Sequence, residues 1–210
     1  MEQNATGKHM GGLCNPENAR LGRDRSGHEL LLPPGMPLIP NTVRGQLMTV
    51  KNMRVLSLTQ PWATLMAIGA KRIETRSWPT SNRGPVLIHA SKCCTLDDLH
   101  TATLKPFVDV LEDAGYCRNW RRRGDGLLYP NDLPLGCIVA FGTLTHVEMI
   151  TRDNVPHEPE LLFGDYTPGR YAWHFDDVRR LVTPVPAKGA LGFWRWSGEI
   201  ELEARDAEAE

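Results

Sequence analysis

Four residues in one short stretch carry groups that could bind or transform a polar ligand: Gly69, Lys71, Glu74 and Arg76, in the order G-x-K-x-x-E-x-R. Glycine lets a backbone approach closely, lysine supplies a mobile point charge, and arginine forks onto phosphate or carboxylate. On an extended strand Glu74 and Arg76 share a face, where they can hold each other or grip a substrate. That set suits an anion or polar-ligand site. Taken alone it reads first as an ordinary surface ion pair at a helix-to-strand junction, which is common and weak. A hydrolytic use of the same groups is the alternative, with Lys71, its pKa lowered by burial, as base or oxyanion stabiliser and Glu74 positioning a water. Thr75 is a hydroxyl one residue along, but alternation puts it on the face opposite Glu74, so it is a poor nucleophile.

A second cluster, Tyr116-Cys117-Arg118-Asn119-Trp120-Arg121-Arg122-Arg123-Gly124, interleaves arginines with two aromatics. Guanidinium groups pair with phosphates and rings stack on unpaired bases, the combination that single-stranded nucleic acid needs. A solvated basic loop with Trp120 docked on the core fits the pattern equally well. Trp78, just past Arg76, is placed to form the rim of a cleft. A metal role for Glu74 with His89 or His174 has no supporting H-x-E or HExxH spacing, and the five cysteines (Cys14, Cys93, Cys94, Cys117, Cys137) contain no CxxC pair. No metal and no cofactor is expected.

Those clusters need elements to hold them, and the chain of 210 residues has room for one full domain with appendages. Its 41% hydrophobic and 23% charged residues are globular proportions, and a net charge of -1 confines any nucleic-acid site to a local patch. No apolar run is long enough to span a bilayer, and the first residues have no apolar signal core, so the chain reads as cytoplasmic. Residues 1–52, with seven Gly and five Pro and no sustained period, read as a disordered or loosely attached leader. Residues 197–210 hold six acids and one base, a solvated acidic tail. Between them, 53–196 carry 17 Lys and Arg against 15 Asp and Glu, a slightly basic folded part.

Within that part, Met53–Leu58 alternates as a strand, Pro61 opens a helix of about two turns that Gly69 stops, and Lys71–Arg76 alternates again. Gly84–Ala90 is a more apolar strand. Thr95 is placed to cap a helix with Asp97 and Asp98 in its first turn, and Pro106 starts another that ends at Gly115. Residues 116–136 read as a loop, Cys137 begins a buried strand running towards Met149, and further strands are expected at 171–175, 178–182 and 193–196. Short strands with a few helices predict an α+β fold, a small curved or closed β-barrel with helices packed outside.

The G-x-K-x-x-E-x-R pattern is expected by chance only about three times in a thousand chains of this length. With the upstream Ser57-Leu58-Thr59-Gln60-Pro61-Trp62 it resembles the signature of the ASCH family, PUA-like barrel domains. Gly84-Pro85 before His89-Ala90-Ser91, Gly136-Cys137-Ile138-Val139, Tyr171-Ala172-Trp173, and Pro184-Val185-Pro186 leading to Gly189 and Trp194 follow in the order such domains show. The resemblance covers about 53–196. It implies an RNA-linked module binding RNA or a nucleotide-like ligand in a cleft of Gly69, Lys71, Glu74, Arg76 and Trp78, with Arg121, Arg122 and Arg123 gripping backbone. It leaves open a hydrolase acting on a modified nucleoside or on RNA. Small family enzymes that hydrolyse N4-acetylated cytidine use a Lys, Thr and Glu set. Here Lys71 matches the lysine, Glu74 stands where the threonine would be, and Glu148 is the candidate for the later glutamate.

Overall fold

The computed structural model describes residues 20–23, 29–32 and 47–203, with side chains over 49–202. Two short strands, β1 (Arg20–Arg23) and β2 (Glu29–Leu32), pair antiparallel within a first unit, Met1–Met36. The rest of the expected leader up to residue 46, and the last seven residues of the expected tail, lie outside the described residues.

The second unit is built on β3 (Leu47–Leu58), β4 (Ile73–Arg76), β5 (Gly84–Ala90), β8 (Cys137–Met149), β9 (Tyr171–Pro186) and β10 (Phe193–Glu203). These form one six-stranded sheet in the order β10-β3-β5-β8-β9-β4, with β3 and β5 parallel and every other neighbour antiparallel. The strand expected from Met53 begins at Leu47, and the strand expected to end at Trp196 runs on to Glu203. The two extensions pair with each other, Glu203 opposite Leu47, past a bulge between Trp196 and Glu199. Likewise the two strands expected at 171–175 and 178–182 are one, bent by register shifts against β8 rather than interrupted.

The sheet is open, with β10 and β4 as its edges, which corrects the expectation of a closed barrel. It nevertheless curls: Phe193 on β10 stacks on Trp173 on β9, with ring centroids 5.4 Å apart and planes 13° from parallel. Side chains take the place of a closing ladder. Arg76 on β4 donates from Nη2 to the Ser57 carbonyl on β3 at 3.0 Å, satisfying an acceptor beyond the last β10 partner, Leu56.

Strand alternation gives the sheet two apolar faces. Leu56, Val86, Ile88, Leu144 and Trp173 pack on one, with Ala63 and Met66 of α1 (Trp62–Ala67) against them. Val55, Leu87, Ile138, Phe141 and Leu181 pack on the other, closed over by Ile200 and Leu202 of β10. Ala102, at the C-cap of α2 (Leu96–Thr101), joins a third cluster, which Leu111 and Phe107 of α3 (Phe107–Asp113) share with Leu65 of α1. Both helix starts read from the sequence are present. Thr95 and Asp98 form a reciprocal capping box, and Pro106 stands at the N-cap of α3, where its missing N–H loses nothing. The span expected to be a loop at 116–136 contains a hairpin, β6 (Trp120–Arg122) and β7 (Leu128–Pro130). Its three-residue strands are too short to show an alternating apolar face, although Tyr129 and Pro130 are buried, and the Asp125 carboxylate holds its turn by accepting from Leu127 N–H and Tyr129 O–H. Among the described residues, no helix is long and apolar enough to cross a membrane.

Candidate functional site

A cleft of about 1430 Å³ opens where the end of α1, β4, the chain after β9 and the segment before Tyr166 meet. Lys71, Glu74, Arg76 and Trp78 all line it; Gly69 does not. Gly69 instead turns the chain out of α1 with φ +79, and a Cβ there would meet open space, so its role is backbone conformation and not close approach to a ligand.

Lys71 stands just before β4 and escapes the alternation expected of it. Its backbone N–H bonds to the Leu65 carbonyl, tying it to the helix, while its side chain is almost wholly buried. Lys71 Nζ donates to the Phe163 carbonyl at 3.0 Å and to the Ile73 carbonyl, and lies 3.9 Å from Glu160 Oε1. Burial holds its pKa below the ordinary lysine value, opposed by the nearby charges of Glu74 and Glu160. Glu160 sits on a 3-10 turn, Glu160–Phe163, and its carboxylate accepts from the N–H groups of Arg72 and Ile73 and from Tyr166 O–H. It thereby fixes the entry to β4.

Alternation does hold within β4. Glu74, buried, pairs with Arg76 through Nε at 2.9 Å, an ion pair whose N–H is not aligned as a hydrogen bond. Thr75 also borders the cleft, its carbonyl accepting from Arg170 Nη2 at 3.2 Å. Trp78 is 38% exposed and meets the Trp173 ring edge-on, with centroids 4.7 Å apart. One aromatic ring is thus fixed by the core and open to a ligand on its other side.

The opposite wall was not legible as a site. Trp194 Nε1 donates to Ser57 Oγ at 3.0 Å, and Ser57 Oγ lies 3.1 Å from His89 Nδ1. His89 Nε2 lies 3.1 Å from the Ala187 carbonyl. Because a carbonyl only accepts, the ring carries its proton on Nε2, and Nδ1 accepts from the serine hydroxyl. Burial lowers the His89 pKa, which keeps the ring neutral. Gly189 presses against this ring so closely that a Cβ would stand 2.4 Å from His89 Cε1. The sequence separation of 32 residues between Ser57 and His89 hides the contact; neighbouring places on the parallel strands β3 and β5 create it.

Lining cations outnumber anions: Lys71, Arg76, Lys92, Arg170 and Lys188 face Glu74 and Asp165. Arg76 pairs with Glu74, and Arg170 pairs with Asp165 at 3.2 Å. Lys92 and Lys188 are exposed and make no ion pair among the described residues. The remaining sequence candidates lie elsewhere. Arg121 and Arg122 are exposed on β6 and line no cavity described here, while Arg123 borders a second, smaller cavity. Glu148 bonds His174 Nε2 at 3.0 Å and Asn154 Nδ2 at 2.8 Å on the far part of β8, so neither Glu148 nor His174 joins Glu74 in the cleft. No cluster of three or more His, Cys, Asp or Glu among the described residues is arranged to hold a metal ion.

A curled mixed sheet with a charged cleft beside its first helix defines a small α+β domain. The ASCH domain model matches residues 56–173, and the chain belongs to the ASCH family. It is similar to activating signal cointegrator 1 of Homo sapiens, 28% identical over 151 residues, and of Mus musculus, 26% identical over 151 residues. Each match takes in 71% of this chain but 23% of the relative, so the chain corresponds to a minor part of those proteins' length.

Proposed function

We propose that the cleft binds RNA or a nucleotide-like ligand, with a base against Trp78, its polar edge at the Glu74–Arg76 pair, and phosphate near Lys92 and Lys188. The observation that carries this reading is the pairing of an anchored, half-open tryptophan with unpartnered cations around one polar cleft. The stacking surface suits any base, and the free lysines neutralise phosphate without the prior loss of an intramolecular pair. Arg121 and Arg122 lie outside the cleft and add diffuse attraction to the backbone. Single-stranded RNA should bind with an affinity that falls steeply as salt rises, as counterions are released. Fluorescence anisotropy across a salt series measures this, and salt-independent binding overturns it.

A second reading, hydrolysis of a modified nucleoside or of RNA, is favoured by one observation: a buried lysine of lowered pKa faces a carboxylate in the same cleft. In that reading Glu74 positions a water and Lys71 acts as base or stabilises an oxyanion. Mass spectrometry of RNA carrying acetylated cytidine, incubated with the wild type and with Lys71→Ala, separates the two. Loss of a base substituent or chain cleavage that disappears in the variant supports hydrolysis. Intact RNA that the same preparation still retains at low salt supports binding alone.

A further inference from the structure

A second cavity of about 280 Å³ lies beside the cleft, and Lys92 lines both. Its floor is apolar, from the buried Leu99 and Leu133, and its walls are the half-open Leu96 and Leu135, 47% and 44% exposed. Arg123 and the exposed Asn131 stand at its rim. The volume falls just short of the roughly 300–1,000 Å³ of sites for drug-sized ligands, so it suits one planar ring and not an extended molecule.

The polar groups around this groove are uncommitted. Arg123 Nε is buried without a hydrogen-bond partner, and the Arg123 and Lys92 side chains make no ion pair among the described residues. Asp98, whose charge acts on Cys94, is already engaged as part of the cap on α2. The Cys94 thiol in the wall is pushed up to about 11 by burial and so stays neutral. Gly136, itself a cleft residue, faces the stem of Lys92, since a Cβ placed on it would be in ordinary contact with Lys92 Cβ at 3.5 Å. An exposed lysine stands at the junction of an aromatic-walled cleft and an apolar groove with an arginine and an amide at its mouth.

We propose that this groove is a second nucleotide subsite, which takes the base adjacent to the one in the cleft; the inference rests on the RNA-binding reading. The ring enters between Leu96 and Leu135, the Asn131 amide meets its polar edge, and Lys92 and Arg123 straddle the intervening phosphate. The domain thus reads two consecutive unpaired nucleotides, and Arg123 acts here as a phosphate ligand where Arg121 and Arg122 do not.

The test compares competition by uridine monophosphate and by a diuridylate against a fluorescent oligouridylate, for the full chain and for Arg123→Ala and Leu135→Asp. The wild type should bind the dinucleotide about tenfold more tightly than the mononucleotide, and both variants should lose that gain while keeping their mononucleotide affinity. Leu135→Asp acts by placing a carboxylate in the wall without touching the cleft. Equal losses for both ligands, or an unchanged dinucleotide affinity, overturn the subsite while leaving the cleft reading intact. Failure of wild-type protein to bind either ligand or the oligouridylate removes both readings together.

Discussion

The motif strand β4 and the β6–β7 hairpin each present cationic side chains, but they hold them in opposite ways. Around β4, Lys71 is clamped between two carbonyls and Arg76 is fixed by Glu74 and the Ser57 carbonyl. On the hairpin the backbone is what is fixed. Asp132 accepts from the N–H groups of Cys117, Arg118 and Asn119 at its root, whereas Arg121 and Arg122 are exposed and Arg122 donates to the Gly126 carbonyl of the hairpin's own turn. Buried, paired charges cost desolvation but hold one shape, which favours discrimination between ligands. Exposed charges hold no shape and are screened by salt, which favours attraction without sequence preference. On the RNA-binding reading proposed above, recognition belongs to the cleft and steering to the hairpin.

Removing the clamp should have the largest effect. Lys71→Ala leaves the Phe163 and Ile73 carbonyls without their donor and empties a buried stem, for a loss of about 3 kcal/mol. Urea unfolding at constant slope measures it; a loss below about 1 kcal/mol would mean that the cleft is not held by this lysine. Arg76→Ala should follow, at about 2 kcal/mol, because Glu74 remains buried without its partner. The same variant should lose most RNA affinity, and a Glu74→Gln, Arg76→Ala double variant should recover stability but not binding. Recovery of both would make the pair structural and leave recognition to other groups.

A smaller effect comes from the opposite wall, where His89 has a pKa below its ordinary 6.5 because of burial. A depressed histidine contributes stability that is present above its unfolded value and is lost as pH falls below 6.5 towards the folded value. The wild-type urea midpoint should therefore drop between about pH 7 and about pH 5, and His89→Gln should flatten that part of the decline. An identical slope in the variant would remove His89 as its source. The smallest change in stability belongs to the hairpin. Arg121→Ala and Arg122→Ala should each shift stability by less than about 0.5 kcal/mol and reduce the salt slope of RNA binding by about 1. A loss of discrimination between RNA sequences in these variants would abolish the distinction between recognition and steering.

The sequence was most legible where a local rule acts alone. The α2 cap was read from Thr95 with Asp97 and Asp98, and the α3 start from Pro106, because a cap is satisfied within a few residues. The strand at Gly84–Ala90 agrees residue for residue, since burial on both faces leaves a continuous apolar run. Local rules failed at Lys71, where alternation predicted a face but the residue precedes the strand and is turned inward by the Phe163 carbonyl. They failed again at 116–136, where two paired strands of three residues each are too short to show an apolar period.

By itself, then, the sequence determined the family, the helix caps, most strands and the chemical character of the motif, because these depend on residue type and near-neighbour spacing. The tertiary structure decided which charges are free. Glu160, 89 residues from Lys71, fixes the entry to β4, and Ser57 and His89 meet only because parallel strands set them side by side. It also decided that the sheet curls without closing, and that Arg123 and Lys92 border a common groove, separated from the other hairpin arginines. Partnership and burial are sums over distant segments of the chain, and only the packed sheet brings those segments within the few ångströms at which hydrogen bonds and ion pairs act.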